Sequence, residues 1–273
     1  MKLTINHLTH YRYDEEVKFS TQYLRLTPKN SARQKIRQWK LTLPVPAVQT
    51  TDAYGNVLHV LTLDRPHHDI TIHAQGVVDL IDGDAEDAPQ QDGLSPLVFL
   101  RMTPLTEADA NIRAFAQRYY RHHAPEESLN TLMAELQLKM PYTPGATQVQ
   151  DTAAAAFTLQ KGVCQDHTHV FLACCRSLNI PARYASGYVY SQDTQHVAMH
   201  AWAEVWLNGR WQGFDITNCT RQLRQHLLLA VGMDYMDACP VRGTRLGGGC
   251  EEMFSEAEVR LFTQQQQVQQ QQQ

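Results

Sequence analysis

Along residues 3–81 apolar and β-branched side chains recur at alternate positions, in short runs broken by turn residues. LTINHLTHYRY (3–13), QYLRLTP (22–28), IRQWKLTLPVP (36–46), VLHVLTLD (57–64) and ITIHAQGVVDLI (70–81) predict five strands. The separators Thr27-Pro-Lys-Asn30, Asp52-Ala-Tyr-Gly-Asn56 and Arg65-Pro-His-His68 supply the residue types that turns need. Strands at this spacing predict a small antiparallel sandwich or barrel over residues 1–82. The acidic, turn-rich DGDAEDAPQQDG (82–93) opens a linker expected to run through residues 83–103.

Beyond the linker the period lengthens to that of a helix. Thr106-Glu-Ala-Asp109 opens one helical run (108–123), and SLNTLMAELQLKM (128–140) predicts another. After the break PYTPGAT, residues 151–162 predict a third helix, closed by Gly162. A fourth starts at Cys164 and runs through VFLACCRSL until Asn179-Ile-Pro181 ends it. Strands follow at 182–191, 200–207 and 210–217, then at 226–235 and 256–263. The expected fold class is α+β: an N-terminal antiparallel β domain, then helices packed on an antiparallel sheet over 104–262. The Gln-rich 263–273 has the composition of a disordered tail.

The run HAWAEVWLNGRWQGFDIT carries the first hint of chemistry. Asn208-Gly209 between two alternating runs is a strong hairpin signal. A two-residue turn pairs Leu207 with Arg210, so Trp202 opposes Asp215 and His200 opposes Thr217. His200 and Asp215 then share a face as diagonal neighbours, roughly 7–8 Å apart at the backbone. A carboxylate beside an imidazole fixes its tautomer and supports its positive charge. Such a pair needs a nucleophile, and Cys164 fits: a thiol in the first turn of a helix meets the positive end of the helix dipole, which favours the thiolate.

Composition narrows the class. The 24 Lys and Arg against 28 Asp and Glu give a net charge of −4, with no long basic run to suggest nucleic acid or an anionic membrane. The N-terminus shows no apolar core of a secretory signal, and no apolar stretch approaches a membrane span, so a cytoplasmic location is expected. No C-x-x-C pair occurs among the six cysteines, which disfavours a structural zinc site. Cys174, Cys175, Cys219, Cys239 and Cys250 read as packing or incidental residues.

Taken in order, GVCQDHTHVFLACCRSLNIPARYASGYVY and MHAWAEVWLNGRWQGFDITN resemble the core of the transglutaminase-like superfamily, in the bacterial branch whose members are described as cysteine proteases. The N-terminal β region resembles the bacterial transglutaminase-like N-terminal domain, and AVGMDYMDACPVRGTRLGGG resembles the family's closing segment. The resemblance implies a papain-like core and a triad of Cys164, His200 and Asp215. Two departures stand out. Asp215-Ile-Thr-Asn218 replaces the family's Asp-Pro-Thr-Asn, losing a proline's fixed φ beside the carboxylate. His167 stands where an aromatic or apolar residue is expected.

The expected activity is acyl transfer from an amide or peptide bond through a thioester, with water as acceptor favoured over an amine and no cofactor required. The substrate would be a peptide, a protein or a small amide, with neither nucleic acid nor membrane as partner. The Cys164 N–H would be one oxyanion donor, with Tyr142 a candidate for the second unless it is a packed loop residue. Asp166 either orients substrate or charges the first helical turn. Trp202, with Trp206 and Trp211 on its face, either lines a cleft or packs in the core. Two rival readings remain: a non-catalytic binding module on this fold, and a metal-dependent hydrolase built on Cys164, His167 and His169, although i, i+3 and i+5 share a helix face poorly. Gly247-Gly-Gly249 lacks the strand, helix and Lys-Ser/Thr of a phosphate loop and reads as a turn.

Overall fold

The computed structural model describes residues 1–81, 94–191 and 199–262. The acidic 82–93 stretch and the Gln-rich tail lie outside the described residues. The chain opens with β1 (Lys2–Leu24), β2 (Gln34–Thr42), β3 (Val48–Thr51), β4 (Val57–Leu63) and β5 (His67–Leu80). Helices α1 (Ala110–Tyr119), α2 (Pro125–Lys139), α3 (Ala153–Leu159) and α4 (Cys164–Ser177) follow. Then come β6 (Ala182–Val189), β7 (His200–Leu207), β8 (Arg210–Phe214), β9 (His226–Gly232), the single turn α5 (Tyr235–Ala238), β10 (Val241–Gly247) and β11 (Glu251–Leu261). No helix among the described residues is long and apolar enough to cross a membrane.

Two expected N-terminal strands are one. β1 runs unbroken for 23 residues and alternates buried with open positions through its first half. Its backbone groups need partners on both sides along that length. The first half lies between β5 and β11, and the second between β4 and β10. A register shift between Arg12 and Val17 divides the halves, so the sheet curls around one core. The expected domain boundary at 262 is corrected here: residues 241–261 leave the second domain and pair with β1. VRGTRLG of β10 is open on nearly every position and shows no alternation, so only its pairing makes it a strand. Gly247, Gly248 and Gly249, all at positive φ, form the turn into β11.

The second sheet has the order β8-β7-β6-β9, all antiparallel. On one face Ala201, Ala203 and Val205 of β7 pack on Val170, Phe171 and Cys174 of α4. Tyr188, Leu227 and Leu229 of β6 and β9 join the core formed by Leu3, Ile5, Ile70 and Val259 of the N-terminal sheet. The two domains therefore share an interior. Buried Arg176 of α4 ties the helical side together, donating to the carbonyls of Phe99, Ala182 and Met233 and to the Thr106 hydroxyl. Burial lowers its pKa to about 10, which leaves it charged at neutral pH.

The outer edge of β9 is closed by two side-chain amides from the N-terminal domain. Buried Gln34 donates to the Leu228 carbonyl at 2.9 Å and accepts from the Leu228 N–H at 2.8 Å. Asn56 does the same for Val231, at 2.7 and 2.9 Å. Each amide replaces a missing strand partner at an edge that would otherwise hold unpaired groups. Gln34→Ala strands a buried donor and a buried acceptor, so we expect a loss of about 2–4 kcal/mol in unfolding free energy. A lower denaturant midpoint with an unchanged slope is the readout, with exposed Gln38→Ala as a control expected within about 0.5 kcal/mol of wild type.

Candidate active site

The Asn208-Gly209 hairpin takes the tight form that its residues favour. Both residues sit at positive φ, 52° and 77°, and the register sets Leu207 against Arg210 and Ala203 against Phe214. Asp215 follows β8 directly, and two backbone hydrogen bonds with Thr220 (2.8 and 3.0 Å) fix it there. The diagonal expected from the register is made: His200 Nε2 donates to Asp215 Oδ2 at 2.8 Å. No proline is needed beside the carboxylate. Ile216 is buried in the helical core instead, and the Asp215–Thr220 pair does the fixing.

Cys164 is the first residue of α4, so its N–H has no helical carbonyl upstream to receive it. Asp166 shapes this helix start. Its carboxylate accepts from the Val163 N–H at 2.8 Å and from the Thr147 hydroxyl at 2.6 Å. Gly162 makes that possible, since a Cβ there would come within 2.6 Å of the Asp166 side chain. Of the two readings of Asp166, the candidate substrate role is corrected in favour of the helix start: it is 1% exposed and caps the helix. Gly162 does not close the preceding helix either, because α3 ends at Gln160 in the left-handed region.

His200 meets opposing influences. Burial would lower its pKa, but hydrogen bonding to Asp215 and to the Cys164 sulfur raises it to about 10. Nε2 is committed to Asp215, which leaves Nδ1 to face the thiol. Asp215 is fully buried; burial alone would raise its pKa, yet its two histidine partners hold it well below the usual carboxylate range. The sequence did not mark the second of these. His226, the first residue of β9, donates from Nε2 to the same Oδ2 at 2.7 Å. Asn218 adds its Nδ2 on Oδ2 at 2.6 Å and its backbone N–H on Oδ1 at 3.2 Å.

The remaining candidates separate. Tyr142 is 53% exposed, and an isolated bridge between it and Gly162 brings its segment beside the start of α4. Burial and the nearby Cys164 raise its phenol pKa, so it remains a donor at neutral pH. Trp202 is 1% exposed, so of its two readings the candidate cleft role is corrected in favour of packing: it stacks on His200 (6.2 Å, 27°) and meets His226 edge-on (5.0 Å, 82°). Trp206 and Trp211 pack against each other, Trp211 also against Phe99. His167 and His169 do not join Cys164 in a ligand set. His167 donates from Nε2 to the Met140 carbonyl and accepts at Nδ1 from Thr217, while His169 Nε2 accepts from the Tyr235 N–H.

The donor atoms of His200, Asp215 and His226 lie within 4.8 Å of one another, a set that could hold a metal ion. A metal on His226 Nε2 would push that ring's proton to Nδ1, which is buried and has no hydrogen-bond partner among the described residues. Hydrogen bonding to Asp215 is the arrangement that fits these side chains.

Residues 113–216, which span Cys164, His200 and Asp215, match the transglutaminase-like superfamily, and residues 3–79 match the bacterial transglutaminase-like N-terminal region. An uncharacterized protein of Mycobacterium bovis, Mb2599c, is 30% identical over 270 residues, covering 88% of this chain and 86% of its own. The chain belongs to the transglutaminase-like superfamily. A Mycobacterium leprae protein, ML0607, is 27% identical over 275 residues, covering 94% of this chain and 98% of that one. Among solved structures, a "Putative Cysteine Protease" from Cytophaga hutchinsonii superposes with a TM-score of 0.77 at 22% identity, over 95% of this chain and 90% of that one. That likeness shows the fold: a transglutaminase-like core joined to a curled antiparallel sheet.

Two outcomes test this transglutaminase-like site as a physical object. Asp166→Ala removes the acceptor for Val163 N–H and is expected to cost about 1–2 kcal/mol in unfolding free energy. His200 has a folded pKa above its unfolded value, so its contribution is fully present below about pH 6.5 and lost as pH rises to about 10. The stability difference between wild type and His200→Gln, followed by denaturant titration, should therefore shrink across that window.

Proposed function

We propose that this chain is a thiol-dependent acyl-transfer enzyme acting on amide or peptide bonds, with Cys164 as nucleophile, His200 as acid and base, and Asp215 as the group that orients His200. One observation carries the reading: a buried carboxylate holds an imidazole whose pKa is raised by that carboxylate and by the Cys164 sulfur, and the half-buried cysteine stands at a helix start.

The Cys164 sulfur, as thiolate, attacks the carbonyl carbon, and the C=O electron pair moves onto oxygen. That oxygen is held by the Cys164 N–H and by Tyr142, the aromatic donor at the site's edge. His200 gives its proton to the nitrogen as the C–N bond breaks, leaving a thioester and neutral imidazole. His200 then takes a proton from the acceptor, which attacks the thioester carbon and expels the thiolate. Asp215 stays ionised throughout and steadies the imidazolium. Water as acceptor makes the enzyme a peptidase or amidase, and an amine makes it a transamidase. We favour water, because Cys164 is only partly covered and water reaches a site that does not exclude it.

The pH profile of Cys164 alkylation by iodoacetamide, read by peptide mass spectrometry, is the first test. A free thiol with a pKa of about 8.5 slows by more than about a hundredfold between pH 8.5 and pH 6. Here the rate at pH 6 should stay within roughly threefold of that at pH 8.5, and His200→Ala should restore the steep decline. Cys164→Ala should abolish amide turnover while the fold persists. A steep decline in wild type, unaffected by His200→Ala, would sink the triad.

A further inference from the structure

The Asp215 carboxylate carries two histidines, and only one belongs to the triad. His226 places its Nε2–H 2.7 Å from the same oxygen that receives His200 at 2.8 Å. We propose that His226 is a positioning residue, which locks the Asp215 carboxylate in the orientation that serves His200 and ties that lock to the N-terminal domain through β9. This rests on the acyl-transfer reading of Cys164, His200 and Asp215.

The two rings have unequal chemistry. Donation from Nε2 to a carboxylate, with Nδ1 bare and unpartnered among the described residues, is the pattern of a neutral imidazole. Charging His226 would create a buried Nδ1–H without an acceptor, next to protonated His200 and near Arg33. Burial lowers its pKa accordingly, and His200 and Arg33 oppose the pull of Asp215. The neutral ring thus donates a hydrogen bond without competing for the proton that His200 carries. With Asn218, which holds Oδ1 through its backbone N–H and Oδ2 through its amide, it restrains the carboxylate against turning about its own axis, and it does so from a separate strand. Trp202 lies against both rings, which also meet each other with centroids 5.6 Å apart.

The lock has its own anchor. His226 opens β9, opposite Val189 of β6, and the Tyr190 N–H donates to the Gln225 carbonyl at 2.9 Å just before it. Two residues further on, Gln34 grips Leu228 from the N-terminal domain, and Asn56 grips Val231. The N-terminal sheet therefore reaches the reacting groups through a short covalent and hydrogen-bonded path: Gln34, β9, His226, Asp215, His200.

The experiment uses the full-length protein and the Cys164 alkylation profile, with thermal melts on every variant. A glutamine amide reaches where Nε2 stands; an asparagine amide, one methylene shorter, reaches only to the place of Nδ1. His226→Gln is expected to keep the pH 6 rate within about threefold of wild type, whereas His226→Asn and His226→Leu should lower it about tenfold or more and steepen the profile toward that of His200→Ala. If His226→Leu fails to fold, the Gln and Asn pair carries the comparison alone. A wild-type profile in His226→Asn would overturn the proposal, and so would equal losses in His226→Asn and His226→Gln, since a donor role depends on where the amide sits. Failure of the parent reading looks different: wild type itself would behave as a free thiol, indifferent to His200→Ala.

Discussion

Burying an ionised carboxylate is costly unless donors surround it, and the cost of leaving Asp215 unpaired in this interior would be several kcal/mol. The requirement is met by groups from three places. His200 comes from β7, His226 from β9, and Asn218 from the loop that begins at Asp215 itself. Neither histidine can reach the carboxylate unless the sheet has the order β8-β7-β6-β9 and the hairpin has a two-residue turn. Helix α4 is fastened to the same loop, since His167 bridges Thr217 and the Met140 carbonyl. The fold and the site are in this sense one constraint: satisfying Asp215 also brings His200 to the start of α4, where Cys164 stands.

Much of that was legible in the residues, and the reasons differ by position. The Asn-Gly turn is local, and strand pleating is regular, so one tight turn placed His200 beside Asp215 across the hairpin. Helix α4 was legible because a polar start, a long apolar middle and Asn179-Ile-Pro181 bracket it. The polar start was less legible in detail. His167 and His169 supported only a rival reading as ligands with Cys164, against their poor sharing of a helix face, and each is satisfied by a different partner from a different part of the chain. His226 was invisible because it opens the apolar run HLLLAV, where a lone histidine carries no local signal; only the position of β9 across β6 brings it to Asp215. β10 was missed for a related reason. Its partner is β1, more than two hundred residues earlier, and neither of its faces is buried enough to leave a periodic trace.

The N-terminal sheet is more than an appendage to the core. It buries Tyr188, Leu227 and Leu229 in its own interior, closes the β9 edge with Gln34 and Asn56, and sends Arg33 to the buried Glu204 of β7. Glu204 also binds Arg183, so its carboxylate lies between two guanidiniums, one from each domain. Burial alone would raise the pKa of Glu204, but the two arginines hold it below its usual range. Removing either arginine would leave a buried charge only partly compensated, which gives this contact a strong dependence on geometry. Glu204 lies two positions from Trp202, and Trp202 two positions from His200, on the same face of β7. The domain contact and the imidazole are thus side chains of one short strand, and neither can shift far without the other.

Helix α4 also explains why one cysteine stands apart from the others on the same element. Cys174 and Cys175 are fully buried among apolar side chains, and burial pushes both thiols up, away from the thiolate. Cys164, three turns earlier, is partly open, sits at the end of the helix where N–H groups point outward, and lies against His200. The residue type is the same in all three places; the position along the helix differs. The nucleophilic role proposed for Cys164 depends on a helix start, which depends on the Asp166 cap, which in turn depends on Gly162 having no side chain. The polar residues around Cys164 therefore divide into those that hold the helix end in place and those that hold the charge beside it.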